Sequence, residues 1–448
     1  MEATNSDSQM MVDLSNWLQS ELGFSVTSIE RQPWRRPAWF IEAIGANGPV
    51  SLYARGERPK QNEAFGLENE MAIQQQLEKN GITVPHIYGL CPVPKAVIMD
   101  RKQGTERVIH LGAEEKRKIM FNYVEILAKM HSIDIEQFVR IGLKRPGSPR
   151  DSVLGGLDRY TAVFREMKSK PEPFIEFVLK WLERNVPVDR SEASLICWDA
   201  GQFLHDQGEI TTLLDLELAH LGDPLEDLAS IRLRDPSWDF GNINEIYDHY
   251  AKVSGRPVDR DIIDYHCISF AITNPISHFY VLLKPNTQTP YMTYKKMCNK
   301  TSLWALDLIA QKLRVEIEQL PIPNGKKTPF APAYQHLMEV LGELPKRDEF
   351  EEYRIDLLTS LAEHLKRVNE IGEEMITGDI DDLQAFLGKP VSSWEAGEEM
   401  LEQFILHAGP EHDADILRLL HRRLQRELFL VANPGTADST LPSLQGIR

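Results

Sequence analysis

Residues 195–228 limit the fold of this 448-residue chain more than any other stretch. Two short apolar runs, 195–197 and 210–214, each give way to an aspartate, Asp199 after the first and Asp215 after the second. Between them Asp206-Gln207-Gly208-Glu209 is a polar turn carrying a glycine. The order implies a strand, a loop, a hairpin turn and a second strand that delivers an acid. Two carboxylates presented in one local unit suit metal and proton chemistry. Hard carboxylate oxygens hold Mg²⁺, and a carboxylate accepts the proton of an attacking hydroxyl. Aspartate is equally at home at strand ends as a turn residue, so the pair alone leaves both roles open.

The residues that follow are more specific. They read Leu214-Asp215-Leu216-Glu217, then Ala219-His220-Leu221-Gly222-Asp223-Pro224, then Glu226-Asp227-Leu228-Ala229. This resembles the core of the aminoglycoside phosphotransferase family, where Leu-Asp-Trp-Glu, Leu-Gly-Asp-Pro and Asp-Leu-Ala follow a catalytic His-Gly-Asp loop. The resemblance implies an α+β, bilobal, protein-kinase-like fold: a small antiparallel-sheet lobe and a mainly helical lobe. It also implies ATP and Mg²⁺ as cofactors and a small-molecule hydroxyl as phosphate acceptor. On this basis Asp199 corresponds to the catalytic proton acceptor and Asp215 to the metal-binding Asp of the kinase Asp-Phe-Gly position. Glu217, two residues on, is placed either to assist the metal or a substrate amine or to be a solvated acid, and Asp223 and Asp227 correspond to braces of the catalytic loop.

The first half departs from the family pattern. Cys197-Trp198 precedes Asp199 where His-Gly is expected, and Trp198 adds bulk where glycine would allow a free backbone. Gln202 stands for the metal-binding Asn, in a loop two residues shorter than usual. Its amide oxygen lies one methylene farther out.

The amino-terminal third has the order of a kinase small lobe. A helix over 11–22 precedes strands over 26–30, 39–43 and 50–55, a helix over 63–79, and strands over 84–90 and 96–99. Val50, Leu52 and Ala54 alternate with Ser51, Tyr53 and Arg55. The resemblance makes Arg55 the phosphate-holding cation of the third strand and Glu70 its helix partner. A guanidinium forks onto phosphate oxygens but is not a neutral exchange for Lys. An exposed strand arginine beside an exposed glutamate is the plain alternative. Tyr53 matches an aromatic that stacks on adenine, and Met99 and Asp100 mark the hinge whose backbone meets the adenine edge. The loop between the first two strands, 32–37, has no glycine to bring backbone N–H groups to phosphates. Arg35 and Arg36 are its substitute cations.

Composition excludes several classes. The formal charge of −17 argues against nucleic acid as partner. Four cysteines without CxxC spacing suggest neither a disulfide framework nor a zinc site, which fits a cytoplasmic protein. No apolar run approaches the length of a membrane span. His205, Asp206 and His220 lack a third ligand at regular spacing and read as surface groups.

From Ala113 helical periodicity dominates, interrupted by the two-aspartate core. A Pro/Gly/Lys stretch at 320–329 reads as a linker. Beyond it, stripes such as Leu417, Leu420, Leu424 and Leu428 read as helical bundle core. The expected domains are a small lobe at 1–100, a large lobe at 101–320, a helical appendage at 330–435 and a flexible tail at 436–448. The appendage is a candidate surface for homodimer formation or a protein partner. The motif departures keep a second class open, a pseudokinase that binds and regulates without efficient transfer.

Overall fold

The computed structural model describes residues 2–32, 36–57, 66–287, 289–347, 349–431 and 443–448. Helix α1 (Glu2–Leu22) leads into strands β1 (Ser25–Arg31), β2 (Ala38–Gly45) and β3 (Gly48–Gly56). Helix α2 (Leu67–Lys79) and strands β4 (Ile87–Pro92) and β5 (Lys95–Asp100) follow. The five strands form one antiparallel sheet in the order β1-β2-β3-β5-β4. Alternation along β3 decides its faces. Leu52 and Ala54 are fully buried in a core with Leu14 and Leu18 of α1, Trp39, Ile41 and Ile98. Tyr53 and Arg55 therefore lie on the opposite face.

Helices α3 (Ala113–His131), α4 (Glu136–Val139), α5 (Pro149–Met167) and α6 (Pro173–Arg184) come next. The two-aspartate segment then gives β6 (Ser194–Ile196), β7 (Phe203–Asp206), β8 (Glu209–Leu213) and β9 (His220–Gly222). As expected, a hairpin separates the two acids, with β7 pairing β8 around Gln207-Gly208. β6 is not part of it. It pairs with β9 instead, Leu195 opposite Leu221, so the segment is two small antiparallel pairs. Helices α7 (Leu225–Trp238), α8 (Ile243–Ser254), α9 (Arg260–Ala271), α10 (Thr273–Leu283) and α11 (Tyr291–Leu313) complete this part. After the proline stretch come α12 (Ala331–Glu343), α13 (Glu349–Leu387), α14 (Trp394–His407) and α15 (Asp413–Val431).

The residues gather into two compact units. The first comprises Met1–Gly156, Pro187–Ile263 and Gln445–Arg448, and the second Leu157–Val186 and Asp264–Leu444. The first contains the five-stranded sheet and both aspartates. In the second, α11 packs on α15 and α6 on α14, so helices from before the proline stretch share a core with helices from after it. Buried stripes on α15, including Ile416, Leu417 and Leu420, fit the bundle periodicity.

The described end of the chain, residues 443–448, bonds to α7 and the loop after it. Residues 432–442 lie outside the described residues. Gln445 Nε2 donates to Asp235 Oδ2 at 2.7 Å and to Gly241 O at 2.7 Å, and Arg232 Nε donates to Gln445 O at 2.9 Å. A single glutamine that satisfies buried polar groups leaves no hydrophobic signature in sequence. Among the described residues no helix is long and apolar enough to cross a membrane.

Candidate active site

The loop after β6 is fixed by its own backbone. The N–H groups of Cys197 and Trp198 donate to Asp227 Oδ2 at 3.1 Å and Oδ1 at 2.7 Å. The Ala200 N–H donates to Ser230 Oγ at 3.0 Å and the Gly201 N–H to Tyr123 Oη at 2.6 Å. Four N–H groups of one five-residue loop thus end on side chains of α3 and α7, and the loop is pre-organised before any ligand arrives. Gly201 has φ +91°, and a Cβ there would stand 3.0 Å from Phe240 Cζ, so glycine is required on both counts.

Trp198 takes φ 63°, the left-handed region that a glycine would enter freely. For a bulky residue this conformation costs on the order of 1–3 kcal/mol and persists only where the surroundings fix it. They do so here. The indole is 1% exposed and meets the His220 ring edge to face at 5.1 Å. Gly156 of α5 makes the room: a Cβ there would lie 2.5 Å from His220 Cε1 and 3.0 Å from Trp198 Cζ3. Gly156→Ala is therefore expected to destabilise by about 1–3 kcal/mol, as overpacking does. Denaturant midpoints measure it, and a Trp198→Phe partner substitution should recover part of the loss.

The two aspartates converge through Gln202. Its Nε2 donates to Asp199 Oδ2 at 2.9 Å and, more loosely, to Asp215 Oδ2 at 3.4 Å. Arg234 of α7 donates from Nε to Asp199 Oδ1 at 2.9 Å, with Nη2 at 2.6 Å from the same oxygen. Burial pushes the Asp199 carboxyl above its usual value, Arg234 opposes this, and the charges of Asp215 and Glu217 add to it. Asp215 sits just past β8 with φ 55°.

Arg55 links the sheet to these acids. Its Nε donates to Glu70 Oε2 at 3.1 Å, and its Nη2 to Asp215 Oδ1 at 2.6 Å and Glu217 Oε2 at 3.2 Å. Arg36 Nη2 donates to Glu217 Oε2 at 2.6 Å, and its Nη1 lies 3.7 Å from Glu70 Oε2. Glu70 is 6% exposed, so the strand arginine and helix glutamate are not the surface pair of the plain alternative. Burial raises the Glu70 carboxyl, and Arg55 and Arg36 counter it. One connected network thus joins Arg36, Arg55, Glu70, Asp215, Glu217, Gln202 and Asp199.

The other described residues expected at the site lie on β3 and β5. Tyr53 stands opposite Met99 across the β3–β5 pair and packs on Phe40 at 5.8 Å between ring centroids. Burial raises the Tyr53 hydroxyl, with Arg55 and Arg36 pulling it down. Met99 is 6% exposed. Asp100, at the end of β5, accepts from Tyr88 Oη at 2.9 Å and Lys102 Nζ at 3.0 Å. Arg35 lies outside the described residues.

The donor set fits a hard divalent cation in kind: Asp215 and Glu217 supply carboxylate oxygens and Gln202 an amide oxygen. Gln202 would have to turn its amide, since its nitrogen faces both carboxylates. Arg55 already neutralises one Asp215 oxygen. Among the described residues no group of three or more His, Cys, Asp or Glu side chains is gathered for a metal. His205 and His220 are 5% and 3% exposed, so they are buried and not the surface histidines expected. His220 Nδ1 bonds Leu218 O at 3.0 Å, and its Nε2 lies 3.5 Å from Glu226 Oε2.

Sequence reasoning missed Arg234, Tyr123 and His131. Arg234 follows Asp199 by 35 positions inside a helix, and no local pattern links the two. His131 ends the helix whose Leu127-to-Asp134 close resembles the family, but nothing there shows its bond to Asp227 Oδ2 at 3.0 Å.

Parts of the chain are similar to known proteins. The chain is 26% identical over 186 residues to acyl-CoA dehydrogenase family member 11 of Rattus norvegicus, covering 38% of this chain and 23% of that one. Against the Gallus gallus protein of the same name it is 28% identical over 210 residues, covering 43% and 26%. The chain thus spans about a quarter of the length of these curated relatives. Among solved structures, a thermostable mutant of aminoglycoside phosphotransferase APH(4)-Ia superposes with a TM-score of 0.49 at 13% identity, covering 66% of this chain and 99% of that one. An ethanolamine kinase of Plasmodium vivax superposes with a TM-score of 0.44 at 16% identity, covering 64% and 86%. Residues 45–262, which hold every group of the network except Arg36, match the phosphotransferase enzyme family and form a domain of it.

Proposed function

We propose that the first unit transfers the γ-phosphoryl group of ATP to a hydroxyl of a small molecule. The observation that carries this is the Gln202 bridge, which holds a proton-accepting and a metal-binding carboxylate on either side of one amide. Phosphoryl transfer asks a protein mainly for positioning and charge compensation, and the network supplies both. Asp199 accepts the acceptor's proton; Arg234 fixes its orientation through one oxygen and leaves lone pairs on the other. Arg55, oriented by Glu70, and Arg36 present cations to the nucleotide phosphates. Asp215, Gln202 and Glu217 would hold Mg²⁺, which when bound offsets charge on the transferring group.

ATP with Mg²⁺ should raise the thermal midpoint of the full chain by ligand linkage, and Asp215→Asn should remove most of that shift. A panel of hydroxylated acceptors assayed for ADP release tests transfer. The relatives are named for acyl-CoA, so an acyl thioester that carries a hydroxyl joins the panel beside an aminoglycoside, choline, homoserine and a sugar. No midpoint shift and no ADP release would sink the proposal.

A second reading, nucleotide binding without transfer, is favoured by one contact: Arg55 Nη2 on Asp215 Oδ1 at 2.6 Å occupies an oxygen that a metal needs. A midpoint shift unaccompanied by ADP release from any acceptor would select it.

A further inference from the structure

Helix α7 carries Arg234, which holds Asp199, but its last turn is poorly secured by its own sequence. Pro236 sits inside the helix and has no N–H to donate to the preceding turn. Asp239 and Gly241 follow with φ 52° and 92°, a left-handed backbone that is unfavourable for the aspartate. The turn therefore needs partners from elsewhere in the chain.

Asp235, 6% exposed, is its hub. Asp235 O accepts from the Asp239 N–H at 2.7 Å, and Asp235 Oδ1 from the Phe240 N–H at 2.9 Å. Gln445 Nε2 donates to Asp235 Oδ2 and to Gly241 O, each at 2.7 Å. Gln445 Oε1 accepts from the Ile243 N–H at 3.4 Å, and Gln445 O from Arg232 Nε at 2.9 Å. Beyond it, Asn244 Nδ2 donates to Gly446 O and the Arg448 N–H to Asn244 Oδ1, each at 3.0 Å. One glutamine thus ties the end of α7, the turn and the start of α8 together. Lys116 of α3 lies 2.5 Å from Asp239 and braces the same turn.

The turn in its turn bears on the loop that carries Asp199. The Phe240 ring and the Arg234 stem close on Gly201, where a Cβ would stand 3.0 Å from Phe240 Cζ and 3.3 Å from Arg234 Cδ. The Arg234 guanidinium carbon lies 5.5 Å from the centre of the Trp238 ring, and Trp238 stacks on Phe240 at 6.0 Å. A displaced turn moves Phe240 and Trp238, and with them the contacts that aim Arg234 at Asp199.

We propose that Gln445 is a positioning residue: by clamping the turn after α7 it holds Arg234 and the loop of Asp199 in register. The effect on rate rests on the phosphotransferase reading; the clamp itself is read without turnover.

Gln445→Met keeps the bulk of the side chain and removes its amide. In hydrogen–deuterium exchange on the full chain, segments 197–203 and 235–242 should exchange about tenfold faster than in wild type, with 50–56 unchanged. Where ADP release is measured, kcat should fall about tenfold to hundredfold at an unchanged KM for ATP. The acid limb of the kcat profile should move to higher pH, since Arg234 opposes the upward push of burial, Asp215 and Glu217 on the Asp199 carboxyl. In an Arg234→Ala background Gln445→Met should move the limb no further. Deleting residues 443–448 should give the same changes and replaces Gln445→Met if melting curves show that variant unfolded. Unchanged exchange in 197–203 would overturn the proposal, and so would a stationary limb or a second shift in the Arg234→Ala background. Faster exchange in a chain that releases no ADP with any acceptor supports the clamp and sinks the transfer reading alone.

Discussion

Asp199→Asn should lower acceptor-dependent ADP release by about 10²–10⁴-fold, the usual contribution of a positioned general base. The amide preserves shape and keeps a carbonyl oxygen for Arg234, so nucleotide binding should survive and the loss should fall on kcat. The pH profile gives a second readout. Burial raises the Asp199 carboxyl, Arg234 pulls it back, and Asp215 and Glu217 push it up. The active form is the carboxylate, so kcat falls as pH drops through this raised value. Arg234→Ala removes the opposing cation and should shift the acid limb to higher pH; Arg234→Lys should restore part of the shift. A purely structural arginine would lower kcat without moving the limb. If Asp199→Asn leaves the rate within a few-fold of wild type, the carboxylate is not the proton acceptor.

The outline of this site is written in local sequence, and its tuning is not. Apolar alternation placed Leu52 and Ala54 inside and Arg55 on the opposite face, because a strand's period of two leaves little choice. Two acids after two apolar runs, with a glycine turn between, foretold the hairpin. Cys197-Trp198 looked like a break in the loop pattern. The structure shows how the chain accommodates it: Trp198 adopts the glycine-like φ, and Gly156, more than forty positions earlier, gives up its side chain to admit the indole. Such compensation spans elements, so neither residue signals it alone. The same holds for Arg36 on Glu217, 181 positions apart, and Arg234 on Asp199. Ion pairs carry no periodicity, and only the folded backbone brings them together. The shared core of α11 and α15 was hidden for another reason. The proline stretch at 320–329 looks like a boundary, and an apolar helical stripe does not name the partner that will cover it.

Asp227→Ala should be the most destabilising single change in the first unit, at about 3–5 kcal/mol. Asp227 is fully buried, as is most of His131. Its two oxygens accept from the Cys197 and Trp198 N–H groups and contact His131 Nε2 at 3.0 Å. On the other side of the ring, His131 Nδ1 lies 2.7 Å from Tyr250 Oη. Truncation leaves two backbone donors and one imidazole nitrogen buried without partners, and no water route is needed to see that the loss exceeds a surface salt bridge. A total stability of about 5–15 kcal/mol makes this a large share. Asp227→Asn keeps one carbonyl oxygen and should cost less than Ala, because one of the two N–H groups retains its acceptor. Urea unfolding gives both values. The two groups that Asp227 holds are the residues immediately before Asp199, and Trp198 is the one in the left-handed region. Freed from Asp227, Trp198 can relax toward negative φ and carry the Asp199 carboxylate away from Gln202. Folded Asp227→Asn should therefore lose kcat as well as stability. A variant that unfolds early yet turns over at the wild-type rate would separate the brace from the geometry it is argued to hold.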